Sequence, residues 1–98
     1  MAFLRLAFFP GGTPEQWAAV VETLGGVSPP EGRRAFAAGA VEDGWQVMQL
    51  WDSREALEGF NREVFFPSVA GLGDRGFTQA PVVRDIETVI AWIGEERI

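Results

Sequence analysis

The chain has 98 residues, 47% of them hydrophobic, which fits one folded domain spanning 1–98, and its net charge of −6 disfavours nucleic acid and anionic membrane surfaces, where binding depends on clustered cations. It contains no His, Cys, Lys or Tyr, and its eight basic residues are all Arg. That excludes imidazole-activated nucleophiles, thiolate zinc sites, a proximal haem histidine and Schiff bases, leaving carboxylates, guanidinium groups, hydroxyls, amides and indoles for any chemistry.

The first segment, Phe3 to Phe9, is a near-continuous apolar run interrupted by Arg5 and ended by "PGG", the pattern of a buried strand and a turn. Thr13 then predicts a helix N-cap, with Pro14 at the first helical position and Gln16 completing a capping box. Trp17, Val20, Val21 and Leu24 recur at helical spacing as one apolar stripe, and Gly25 and Gly26 are expected to supply a left-handed stop. After the loop "VSPPEG", the runs Arg34 to Val41 and Trp45 to Trp51 flank "EDG" and predict a hairpin. Asp52 or Ser53 caps a second helix, with Asp52 and Glu55 at capping-box spacing. Leu57, Phe60 and Val64 mark its buried side, and Pro67 ends or kinks it. A second loop, "GLGDRGFTQAP", leads to a last strand from Val82 to Trp92 and a charged tail, "GEERI".

The order strand, helix, strand, strand, helix, strand is that of an α+β, ferredoxin-like βαββαβ fold, a four-stranded antiparallel sheet with two helices on one face. Alternation along the strands predicts that Leu4, Leu6 and Phe8, with Met48, Leu50, Ile86 and Ile90, meet the helices. The opposite face would then carry Phe3, Arg5, Ala7 and Phe9, with Trp45, Val47, Gln49, Trp51, Asp85, Glu87 and Val89. An aromatic face of that size in water demands a cover, and the simplest cover is a second copy of the sheet, closing a homodimeric barrel. Trp92 would clasp the partner subunit or close the barrel mouth. No segment approaches the ~20 apolar residues needed to cross a bilayer. The opening residues lack the basic leader and cleavage site of a signal peptide, so a cytoplasmic protein with no membrane partner is expected.

The segments "FPGGTPEQW", "AAG", "DGWQVMQLWDSREALEGF" and "PVVRDIETVI" give the chain a resemblance, over nearly its whole length, to the dimeric α/β-barrel proteins related to antibiotic-biosynthesis monooxygenases, and especially to small bacterial members with no assigned reaction. The resemblance is specific for fold and weak for reaction, because such proteins include quinone-forming oxygenases, haem-degrading enzymes and decarboxylases. Relatives often carry histidines near the positions of Phe36 and Ala37, and of Glu87. This chain has none, which turns the expectation away from haem and towards plain ligand binding or cofactor-free oxygenation, with no cofactor and no metal.

Candidate catalytic residues are Arg5, Glu87 and Asn61. Arg5 would pair a carboxylate or phenolate, and Glu87, desolvated by aromatic neighbours, would act as a base. The alternative is a satisfied ion pair between Arg5 and Glu87 or Asp85. Asn61 resembles in type the amide with which some oxygenases of the family hold a substrate carbonyl, and its plainer reading is a solvated side chain. Phe3, Phe9, Trp45, Gln49 and Trp51 are expected either to line a pocket for a small apolar or aromatic ligand, or to be dimer core. "GGTPEQ" has glycines before a helix start but lacks the Lys of a phosphate loop, so it reads as turn and cap. RNA-recognition domains share this topology and stack bases on strand aromatics, but the acidic, lysine-free composition argues against that role.

Overall fold

The computed structural model describes residues 2–25 and 29–98. Its main sheet consists of β1 (Phe3–Pro10), β2 (Arg33–Val41), β3 (Gly44–Trp51) and β4 (Val82–Glu87), every neighbour antiparallel, in the order β2-β3-β1-β4. The helix α1 (Pro14–Leu24) joins β1 to β2. A longer helical segment joins β3 to β4, made of α2 (Arg54–Phe60), a widened π turn over Asn61–Phe65, and α3 (Phe66–Val69). This is the expected ferredoxin-like arrangement.

Local chemistry accounts for the element starts. Thr13 Oγ1 accepts from the Gln16 N–H at 3.1 Å, and the Gln16 side chain accepts from the Thr13 N–H at 3.0 Å, so two of the free donors at the start of α1 are satisfied reciprocally. At the start of α2 the cap is Ser53, whose hydroxyl accepts from the Ala56 N–H at 3.1 Å. The β2–β3 turn closes because Asp43 adopts a left-handed φ of 68°, which Asp tolerates better than most residues. Pro67 has no N–H to donate and its ring crowds the preceding turn. The helix ahead of it widens, the Phe66 N–H donating to the Asn61 carbonyl five residues back, and then continues to Val69.

Three sequence expectations are corrected. Gly25 is right-handed, with φ −61° and ψ −20°, and Gly26 lies outside the described residues. The last strand stops at Glu87 instead of Trp92, because β1 begins at Phe3 and offers no further ladder. There the Thr88 N–H and hydroxyl both donate to the Ala2 carbonyl, at 3.0 and 2.7 Å, and the chain leaves the sheet. The tail beyond it forms a small hairpin, β5 (Trp92–Ile93) with β6 (Glu96–Arg97).

The third correction concerns the faces of the sheet, which are the reverse of those expected. Phe3 and Trp51 are fully buried against Leu57 of α2, with Ala56 and Phe60 packed beside them. Ala7, Trp45 and Val47 form a second buried cluster with Phe9, Trp17 of α1 and Phe77. The strand members of both clusters, Phe3, Ala7, Phe9, Trp45, Val47 and Trp51, have the parity expected to face away from the helices. Leu4, Leu6, Phe8 and Met48 instead share the open face with Ile86, which is 46% exposed, and Val82. The physical reason is volume: large rings fill the gap between a sheet and a helix layer better than small and medium aliphatics do, and Arg5 among them is paired with Asp85.

Candidate functional site

On the helix-facing side, register sets the side chains in rows across the four strands. One row reads Phe36, Gln49, Arg5 and Asp85, and the next reads Arg33, Trp51, Phe3 and Glu87. In the second row Phe3 and Trp51 are sealed by Leu57, with Phe60 packed beside them. Above the first row, and towards Ala7, Val47 and Val83, the helices stand off, leaving a cavity of about 430 Å3. Its walls are aromatic: Phe9, Trp17, Phe36, Phe65 and Phe77 line it, with Phe9 stacked on Phe77 at 4.2 Å between centroids and Trp17 stacked on Phe36 at 5.9 Å. Val21 belongs to the stripe of α1, yet it is 46% exposed because it overhangs this cavity instead of packing on the sheet.

Four polar side chains reach the lining: Arg5, Arg33, Gln49 and Asn61. Arg5 is committed to a bidentate pair with Asp85, its neighbour across β1–β4, with Nε donating to Oδ1 at 2.8 Å and Nη2 to Oδ2 at 3.0 Å. This bond raises the Arg5 pKa against the opposing effect of burial and, from the other side, holds the Asp85 carboxyl below its ordinary range. Arg54 of α2 extends the cluster, lying over the Phe3 ring at 4.5 Å and reaching Asp85 and Glu87 at 3.4 Å each. The ion-pair reading of Arg5 is therefore the one the geometry supports, with Asp85 as the partner. Gln49 Oε1 accepts from the Trp51 indole at 3.0 Å, which leaves the Gln49 amide N–H groups as the free donors of that side chain.

Of the residues singled out in the sequence, Arg5, Phe9, Gln49 and Asn61 come together on the cavity. Phe3, Trp45 and Trp51 lie beneath it in the packed core, and none is on the open face where a base could stack. Glu87 lies outside the lining. Its side chain is 59% exposed and sits against Arg54, so the desolvation expected for it is not found. Trp17, Phe36, Phe65, Phe77 and Arg33 are among the lining groups that escaped the sequence reading of the site. Trp17 was legible only as helix stripe, Phe77 lies in a loop without pattern, Phe65 is turned by the π widening, and Arg33 depends on an irregularity in β2. Between Arg33 and Ala35 the register shifts, which places Arg33 and Phe36, three apart, on the same face. "GGTPEQ" is the turn and cap expected.

No family model matches the chain, and no curated protein matches it in sequence. Solved structures do match it. A monooxygenase from the gene ActVA-Orf6 of Streptomyces coelicolor, in complex with nanaomycin D, is 20% identical, with a TM-score of 0.61 over 94% of this chain and 91% of that one. Rv0793 from Mycobacterium tuberculosis is 17% identical, with a TM-score of 0.65 over 91% and 96% of the two chains. A mutant of MhuD with two manganese protoporphyrin IX molecules bound per active site is 17% identical, with a TM-score of 0.67 over 96% and 100%. At such identities the likeness is one of architecture, and the chain has the ferredoxin-like fold of the antibiotic biosynthesis monooxygenase-like proteins.

Proposed function

We propose that this protein is a homodimer that binds a small apolar or aromatic molecule in the cavity between sheet and helices. The observation that carries the reading is the cavity itself: about 430 Å3, walled by aromatic rings and supplied with a few oriented polar groups, the usual make-up of a small-molecule site. The neighbours crystallised with nanaomycin D or a porphyrin support it by analogy of fold. A porphyrin is not the ligand this cavity suits. The chain has no His, Cys or Tyr to ligate the metal, and Met48 points to the open face, opposite the cavity. The dimer follows from that open face, where Leu4, Leu6, Phe8, Met48, Val82 and Ile86 form a contiguous apolar surface that a second sheet would cover face to face. The reading includes a cytoplasmic setting, since a chain without cysteine gains nothing from an oxidising compartment.

A second reading is cofactor-independent oxygenation of a phenolic or polyketide-like substrate, and the Asn61 and Gln49 amides in the cavity favour it. There the phenol supplies the electrons, and one phenol with one dioxygen gives one quinone and one water. Asn61 would hold the substrate oxygen, Arg5 would serve only while paired with Asp85, and Glu87 would act only from outside the lining.

Native mass spectrometry of freshly purified protein tests the first reading. A dimer carrying added mass, lost from a cavity-filling Val21→Trp variant, is the expected result; a monomer without ligand, and no binding of any aromatic probe, would sink it. Turnover of a panel of electron-rich phenols separates the second reading, which predicts quinone formation that Asn61→Ala abolishes.

A further inference from the structure

The two arginines that line the cavity are in opposite situations. Arg5 has its charge neutralised by a bidentate carboxylate and is further surrounded by the Arg54, Asp85 and Glu87 cluster. Arg33 has no acidic partner among the described residues. Glu31, two positions before it, makes no bridge to it, and Asp52 pairs with Arg34 at 3.2 Å. The Arg33 guanidinium lies over the Phe36 ring at 4.6 Å, fixed there because the irregularity at the start of β2 turns both side chains to the same face. It is a planar cation, half-buried, held over a ring of the aromatic wall and on the lining of the cavity.

In a chain with a net charge of −6, a positive group left without a counter-charge at a cavity is a departure from the surrounding field. Burial pushes the Arg33 pKa down with nothing opposing it, whereas Asp85 outweighs burial at Arg5. A guanidinium stays protonated under such a shift, so the cost is carried as desolvation until an anion offsets it. The other polar groups agree in sign. Gln49 has its oxygen occupied by the Trp51 indole and presents donors, so the floor beside Arg33 also favours an acceptor-rich ligand group.

We propose that the cavity selects amphipathic anions: flat, largely aromatic molecules bearing one anionic oxygen group, with Arg33 as the residue that binds the charge. This rests on the reading of the cavity as a ligand site and narrows it from any apolar molecule to an aromatic acid or ionised phenol. Arg33 is a specificity residue here, setting which ligands bind and leaving the aromatic body to the Phe36, Trp17 and Phe77 walls.

The test uses two fluorescent probes that share an arylamine body and differ by one charge, anilinonaphthalene sulfonate and neutral N-phenylnaphthylamine, titrated into the full-length protein. Val21→Trp, which fills the cavity, is expected to abolish binding of both and so locates them. Arg33→Gln is expected to weaken the sulfonate about tenfold, the loss of one charge-assisted hydrogen-bonded pair, while changing the neutral probe by less than about twofold. Arg33→Lys should recover only part of the sulfonate affinity, because an ammonium cannot stack and fork as a guanidinium does. Unchanged melting temperatures check that the variants fold. Equal sulfonate affinity in wild type and Arg33→Gln, with the neutral probe still bound in the cavity, overturns the role of Arg33 and leaves the ligand site standing. Failure of both probes to bind overturns the ligand site and this inference with it.

Discussion

The two faces of the sheet are built from the same strands and are both apolar, yet they do different work. The helix-facing side carries the rings of Phe3, Phe9, Trp45 and Trp51 and, among them, a pair of arginines and a carboxylate. The open side carries Leu4, Leu6, Phe8, Met48 and Leu50, with Arg84 as the charged member of β4 on that side. The difference is one of thickness. A sheet facing helices must fill a deep layer, and large rings do so while still leaving a hollow where the helices diverge. The sheet-to-sheet cover proposed for the open side would need a shallow, even surface about 10 Å from its partner, which medium aliphatics provide. Charge can sit on the deep side because that side has room for each arginine to reach a partner, whether a carboxylate or a ring.

The largest effect should come from the sealed end of the helix-facing side. Phe3→Ala or Leu57→Ala removes a fully buried side chain from a cluster with no room to collapse, and is expected to cost about 3–5 kcal/mol in denaturant unfolding. Leu6→Ala, on the half-buried open face, should cost the isolated protomer less than about 1 kcal/mol. Equal losses at Phe3 and Leu6 would erase the distinction between the faces. The open face has its own sensitive readout. Leu6→Arg places a second positive charge directly across from Arg84 at the centre of the proposed sheet-to-sheet contact and should weaken a dimer by about a hundredfold or more in sedimentation equilibrium, with the protomer still folded by circular dichroism. A wild-type protein that is monomeric at low micromolar concentration would remove the face's assigned cover.

Much of this was legible in the residues. The helix starts were written in Thr13 and Gln16 and in Ser53, the hairpin in "EDG", and the topology in the order of the elements, because those signals are local. The facing of the strands was not legible, since in β1 both Phe3-Ala7-Phe9 and Leu4-Leu6-Phe8 are apolar, and alternation cannot choose between two apolar sets. Arg5 tipped the reading the wrong way: a charge looks out of place under helices until Asp85 is known to lie directly across β1–β4. Arg5, Phe9, Gln49 and Asn61 could be found as candidates because type and parity single them out. Arg33 could not, because a register irregularity decides where it points and no residue pattern announces one.

The charged pair under the helices gives the next effect. Asp85→Asn leaves the Arg5 guanidinium facing the cavity without its counter-charge and should cost about 2 kcal/mol, while Arg84→Gln on the other face of the same strand should cost almost nothing. The pair also predicts a direction with pH. Arg5 holds the Asp85 carboxyl below its ordinary value of 3.8, so the unfolded chain takes up that proton first as the solution is acidified. The contribution is whole above the ordinary carboxylate value and is lost as pH falls through the lower, folded one. Wild type should therefore lose stability more steeply than Asp85→Asn below about pH 4, and parallel acid-unfolding curves for the two would show that the pair is not coupled to folding.

The smallest effect separates two tryptophans of one face. Both are buried, Trp51 completely and Trp45 to within 7%. Trp51 donates its indole N–H to Gln49 at 3.0 Å, whereas the Trp45 Nε1 has no hydrogen-bond partner among the described residues. A buried donor without a partner carries its desolvation cost uncompensated, so removing it offsets part of what the smaller ring loses in contact area. Trp45→Phe should then cost less than about 1 kcal/mol. Trp51→Phe loses area and a satisfied bond together, and it frees the Gln49 oxygen beside the cavity, so a cost of about 2 kcal/mol is expected. The Trp51 change also predicts a readout that stability does not give. With its oxygen released, Gln49 can present an acceptor to the cavity, and discrimination in favour of an anionic probe should fall even though Arg33 is untouched. If the two substitutions cost the same and neither alters probe preference, the indole bond is incidental and does not set the donor character of the cavity floor.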